Sequence, residues 1–107
     1  MKHIPLSIPH LSGREARYVT EALETNWVAP LGPNVDAFER EMQAYTGARA
    51  ALATSSGTAA IHLALATLGV TTGDDVFCQS LTFIASTNPI RYVGARPVLI
   101  DSEEETW

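Results

Sequence analysis

Cysteine and lysine each occur once in these 107 residues, and histidine three times. One thiol, Cys78 in "VFCQS", cannot close an internal disulfide, and its strand-forming neighbours predict a buried thiol rather than a nucleophile. Positive charge is scarce as well. Lys plus Arg number 7 against 12 for Asp plus Glu, a net charge of −5. No basic stripe is present to release counterions, which argues against nucleic acid as a partner. Long apolar runs are also missing. None approaches the ~20 residues that span a bilayer, and "MKHIPLSIPH" places prolines where a signal peptide needs an unbroken apolar core. A cytoplasmic protein with no membrane partner is expected. His3 and His10 stand apart in the N-terminal arm, and His62 lies among apolar neighbours as a core or interface residue, so no metal site is predicted.

The chain closes on "PVLIDSEEETW", an apolar strand-like run followed by an acidic, solvated turn. No element follows to cover that strand. The expectation is an N-terminal fragment of a larger protein, with apolar surface meant for other segments.

Between these ends the elements alternate. In "PHLSGREARYVTEALETNW", Ser12 precedes Glu15 at capping-box spacing, and Ala16, Val19, Ala22 and Leu23 share one face, predicting a helix from about Gly13 to Thr25. "WVAPLGP", Trp27 to Pro33, has two prolines and a glycine and reads as an ordered loop. Val35, Phe38, Met42 and Tyr45 mark a second helix that stops at Gly47. From Arg49 the period changes. "RAALAT" reads as a buried strand, "TAAIHLALATLG" as a helix ending at Gly69, "VFCQS" as a strand, "LTFIASTNPIRYVGA" as a helix ending near Gly94, and "RPVLID" as a third strand. Pro89 strains that last helix by about 3 kcal/mol unless it kinks or starts late. Such alternation predicts an α/β fold, a mostly parallel sheet with flanking helices, preceded by two N-terminal helices. The division expected is 1–47, a helical arm with a substrate-side loop, and 48–107, the first part of the α/β domain.

The stretch "SSGTAAIHLAL" holds the chemistry. The amides of Gly57, Thr58 and Ala59 are the first, unpaired donors of a helix whose dipole adds about half a positive charge there. Small residues leave room for a phosphate, and the Ser56 and Thr58 hydroxyls can donate to it. Equally, Ser56 or Thr58 can simply cap the helix. The P-loop lysine and the three-glycine dinucleotide spacing are both missing. "SLTFIASTN" leaves its strand at the same sheet edge, where ligands gather in doubly wound folds. Phe83 could there stack on a heteroaromatic ring, or else pack in the core.

"TNWVAPLGPNVDAFE", "ATSSGTAAIHLALATLGVTTGDDVF", "SLTFIASTNPIRYVGARPVLID" and "SEEETW", in this order and spacing, closely resemble the N-terminal part of the PLP-dependent sugar-nucleotide aminotransferases, the DegT/StrS group, from about Ile4 to Trp107. The resemblance implies the large domain of the aspartate-aminotransferase-like fold (PLP fold type I), pyridoxal 5′-phosphate (PLP) as cofactor, and a homodimer. It also implies transfer of an amino group from glutamate to a nucleotide-linked keto sugar, usually in surface polysaccharide synthesis. Thr58 and Ala59 match the backbone donors to the cofactor phosphate, with Ser56 and Gly57 beside them. Phe83 matches the aromatic that stacks on the pyridine ring. Trp27, Val28, Ala29, Pro30, Leu31 and Gly32 match the loop near the sugar. The chemistry also requires an acid at the pyridine nitrogen and a lysine. The sole lysine is Lys2, in the N-terminal arm, and Asp101 is given a structural role. No catalytic residue is therefore expected in this chain, which should not transaminate alone. Two other readings stay open, a non-catalytic sugar- or PLP-binding regulator and a PLP-dependent sugar dehydratase.

Overall fold

A computed structural model describes residue 5 and residues 7–106. Lys2 and His3, and the outermost residues of the resemblance, Ile4 and Trp107, lie outside the described residues. The chain divides into two compact units, Met1–Ala53 and Thr54–Trp107.

The first unit carries helix α1 (Glu15–Glu24) and helix α2 (Pro33–Thr46). α1 begins two residues later than the sequence predicts, because Gly13 takes a left-handed φ of 88°. Only half of the expected capping box forms. Glu15 Oε1 accepts from the Ser12 amide at 2.8 Å and its hydroxyl at 2.9 Å, and Oε2 accepts from the Gly13 amide at 2.9 Å. The Ser12 amide chiefly, with these other donors, holds the Glu15 carboxyl at about 2. At the far end Asn26 takes φ 58°, the Trp27 amide donates to Ala22 O, and the Asn26 amide donates to Leu23 O. These two bonds are a Schellman closure with asparagine in the left-handed position.

α2 starts with Pro33 at its first turn, where a missing N–H leaves nothing unmade. It stops at Gly47, φ 71°, as expected. The apolar faces of both helices are open to solvent at Val19, Leu23, Phe38 and Tyr45.

"RAALAT" was expected as a strand and is not one. A strand exists by its ladder, and here the Ala53 amide donates instead to Glu39 Oε1 of α2 at 2.8 Å.

The second unit runs α3 (Gly57–Thr67), β1 (Asp75–Gln79), α4 (Ile84–Tyr92) and β2 (Arg96–Ile100). The strands pair in parallel, from Asp75 opposite Arg96 to Gln79 opposite Ile100. Among the described residues the sheet therefore has two strands where the sequence predicts three, and its parallel βαβ arrangement follows the predicted alternation. Asp75 and Arg96 add a two-pronged ion pair at the head of the ladder, Nε to Oδ1 at 2.6 Å and Nη2 to Oδ2 at 2.5 Å. The hydrogen bond from Arg96 holds the Asp75 carboxyl below the usual carboxylate range.

α4 packs on α3 and on both strands. It starts at Ile84 rather than Leu81, yet Pro89, its sixth residue, still lies inside the helix and forgoes the bond to Ala85 O, with its ring almost wholly buried. Its exit, like that of α3, is a Schellman closure, with Ala95 N to Ile90 O at 3.1 Å and Gly94 N to Arg91 O at 3.0 Å. Ile90 and Ala95 are 2% and 1% exposed, so the unit's core sits at this helix-to-strand turn. Gly94 has φ 82°, and a Cβ there would run into Thr72 Oγ1. Cys78 is half-buried rather than buried, with Sγ 3.6 Å from Thr87 Oγ1.

Candidate functional site

Ser56 has extended backbone, and its Oγ accepts from the Ala59 amide at 3.2 Å. The capping role is therefore real. Ser56 O takes the Ala60 amide at 3.0 Å, and Thr54 Oγ1 donates to Ser56 O at 3.0 Å, which steadies the approach to the helix. Capping settles the third amide and leaves two. Among the described residues the amides of Gly57 and Thr58 have no acceptor. A Cβ built on Gly57 would meet nothing within 4 Å, and its φ lies outside the left-handed range. Backbone geometry thus does not demand glycine at this position. Its effect is to leave space beside two aligned N–H groups at the positive end of α3. Donors with room in front of them can hold an anion.

Phe83 is the residue before the first turn of α4, with φ −61° and ψ 143°. Phe83 is 74% exposed, so no described residue of this chain packs it into a core. Ser56 to Ala59 and Phe83 thus stand at the leading ends of two helices that pack together. On those helices His62 and Tyr92 meet edge to face, with ring centroids 5.5 Å apart. His62 is exposed in this chain, which excludes the core half of its expected core or interface role.

Trp27 to Gly32 belong to the first unit. The Trp27 ring lies against Gly32, where a Cβ would come within 2.8 Å of Trp27 Cε3. A small cavity of about 50 Å³ opens there, lined by Trp27, Ala29, Leu31, Gly32, Pro33, Asn34 and Val35. Val28 and Leu31 are exposed. Among the described residues no cluster of His, Cys, Asp and Glu is arranged to hold a metal ion, and no helix is long and apolar enough to cross a membrane.

The sequence reading missed a polar clasp at the carboxyl ends of the strands. The Ser80 amide donates to Ile100 O at 2.8 Å, Ser80 Oγ to Asp101 Oδ1 at 3.4 Å, and Gln79 Nε2 to Ser102 Oγ at 2.6 Å. The sequence signal is that "QS" closes β1 and "DS" follows β2.

The pattern that defines the DegT/DnrJ/EryC1/StrS aminotransferase family matches residues 9–107. The chain belongs to that family. EpsN of Bacillus subtilis, which bears the name of a pyridoxal phosphate-dependent aminotransferase, is 58% identical over 99% of this chain and 27% of its own length. The GDP-perosamine synthase of Escherichia coli O157:H7 is 43% identical over the whole chain and 29% of its own length. Among solved structures, Spr1654 of Streptococcus pneumoniae, named as a sugar aminotransferase and solved in its PMP-form, superposes with a TM-score of 0.85. It is 34% identical over 98% of this chain and 26% of that one. The chain spans about a quarter of the length of the relatives it matches. The resemblance and the α/β fold read from the sequence are both borne out.

Proposed function

We propose that the protein is a PLP-dependent aminotransferase that moves an amino group from glutamate to a nucleotide-linked keto sugar. The observation that carries this reading is the pair of unclaimed amides at Gly57 and Thr58, with open space at the glycine. Those donors, flanked by the Ser56 and Thr58 hydroxyls, suit the dianionic phosphate of PLP without a basic side chain. Ala59, whose amide Ser56 occupies, shapes the same turn and would exchange partners to join it. The uncovered Phe83 ring offers a flat apolar surface for a pyridine ring. Bound there, PLP supplies the electron sink that amino-group transfer needs. The chain's own residues supply placement, and the reading assigns the sugar side to Trp27, Val28, Ala29, Pro30, Leu31 and Gly32. Family membership and the polysaccharide-related names among the relatives, including spore coat polysaccharide biosynthesis protein SpsC of Bacillus subtilis, support the substrate class. A homodimer, a cytoplasmic setting and a division near residues 47 and 48 belong to the same reading.

The test uses protein expressed from its complete reading frame. Added PLP should give a visible absorbance band that glutamate bleaches. A protein that carries no such band after excess PLP is removed would overturn the reading.

A further inference from the structure

Phe83 presents a difficulty for any site built on it. A ring with three-quarters of its surface uncovered is not oriented by packing. Its placement depends on how the backbone of the β1-to-α4 turn is held. Two anchors hold that turn. On the α4 side, the Thr82 and Ser86 hydroxyls lie 2.9 Å apart and the Ser86 amide donates to Phe83 O at 2.9 Å. On the β1 side the anchor is Ser80, three residues before the ring. Its amide carries the ladder one step past Gln79 to Ile100 O, and its hydroxyl donates to Asp101 Oδ1. The same Oδ1 accepts from the Ser102 amide at 2.9 Å. Asp101 is thereby fixed by its own turn while it reaches across to the neighbouring strand's exit.

We infer that Asp101 is a positioning residue, which sets the Phe83 ring by clamping Ser80 at the carboxyl edge of the two strands. This rests on the cofactor reading above for what the ring does. It adds a residue that acts because one carboxylate oxygen serves both strand exits. Asparagine retains that acceptor oxygen and alanine does not.

The experiment takes Asp101→Ala, Asp101→Asn and Ser80→Ala in the protein from its complete reading frame, with PLP as the probe. Asp101→Ala and Ser80→Ala should each weaken PLP binding roughly two- to fivefold, the scale of one long, solvent-exposed hydrogen bond. Both should also diminish the visible circular dichroism of bound PLP, which reports ring orientation. Asp101→Asn should restore both readouts, and the double alanine variant should lose little more than Asp101→Ala, since the two residues act as one unit. Wild-type affinity and dichroism in Asp101→Ala, or no rescue by asparagine, would overturn the inference. Amide exchange at Ser80 in PLP-free protein judges the clasp independently. Faster exchange in Asp101→Ala supports it, and unchanged exchange overturns it. Failure of the wild type to take up PLP would count instead against the functional reading.

Discussion

Ser56 Oγ accepts from the Ala59 amide at 3.2 Å, so one residue both closes the start of α3 and flanks the two amides left free beside it. Structure and binding overlap at this residue, and substitution can separate them. Aspartate caps a helix as well as serine and suits its positive end. Ser56→Asp should therefore keep wild-type stability in urea, while its fixed negative charge repels a phosphate and lowers PLP affinity more than tenfold, roughly the effect of one close like-charge contact. Ser56→Ala should lose about 1 kcal/mol of stability as the cap is removed.

Two glycines of the same unit should respond in opposite ways. Gly94→Ala forces a side chain into the left-handed region and against Thr72 Oγ1, and should cost about 1–3 kcal/mol in a chemical denaturation series. Gly57→Ala meets open space with no left-handed φ, and should raise the same midpoint slightly, a gain of up to about 1 kcal/mol, as the unfolded chain loses freedom. Its methyl would nonetheless stand before the free amides, so PLP affinity should fall.

Phe83→Ala removes a ring that touches little protein. Stability should change by no more than about 0.5 kcal/mol, the usual range for exposed positions. PLP binding, followed by absorbance titration, should weaken. A large stability loss with intact binding would return Phe83 to a packing role.

Acid should loosen α1 through Glu15. Its folded carboxyl is held at about 2, below the 4.5 of the unconstrained side chain. A group whose folded value is depressed stabilises above the unfolded value, and loses that contribution as pH falls toward the folded one. The hydrogen-bonded start of α1 should therefore be fully supported above pH 4.5 and weaken between 4.5 and about 2. A carboxyl-detected NMR titration checks it, and Glu15→Gln should flatten the response.

The sequence disclosed what is decided locally. Gly47, Gly69 and Gly94 mark helix ends because left-handed closures are written into single residues. Ser56 marked the start of α3 for the same reason. What depends on a distant partner was not legible. "RAALAT" has the composition of a strand, but Glu39, from another element, takes the Ala53 amide. Gly13 was placed inside a helix whose start its own backbone angle delays. His62 has apolar neighbours in sequence, while in space it meets the Tyr92 ring edge to face. The clasp of Asp101 on Ser80 joins residues 21 apart and exists only once β1 and β2 lie side by side.

Ile90 and Ala95, the most hidden hydrophobic residues of the second unit, are joined by a hydrogen bond spanning five residues. The innermost contact of this unit thus needs almost no loop closure. Such a turn can assemble early and present β2 to β1 already aimed, so that pairing of the strands consolidates a direction the chain has already taken.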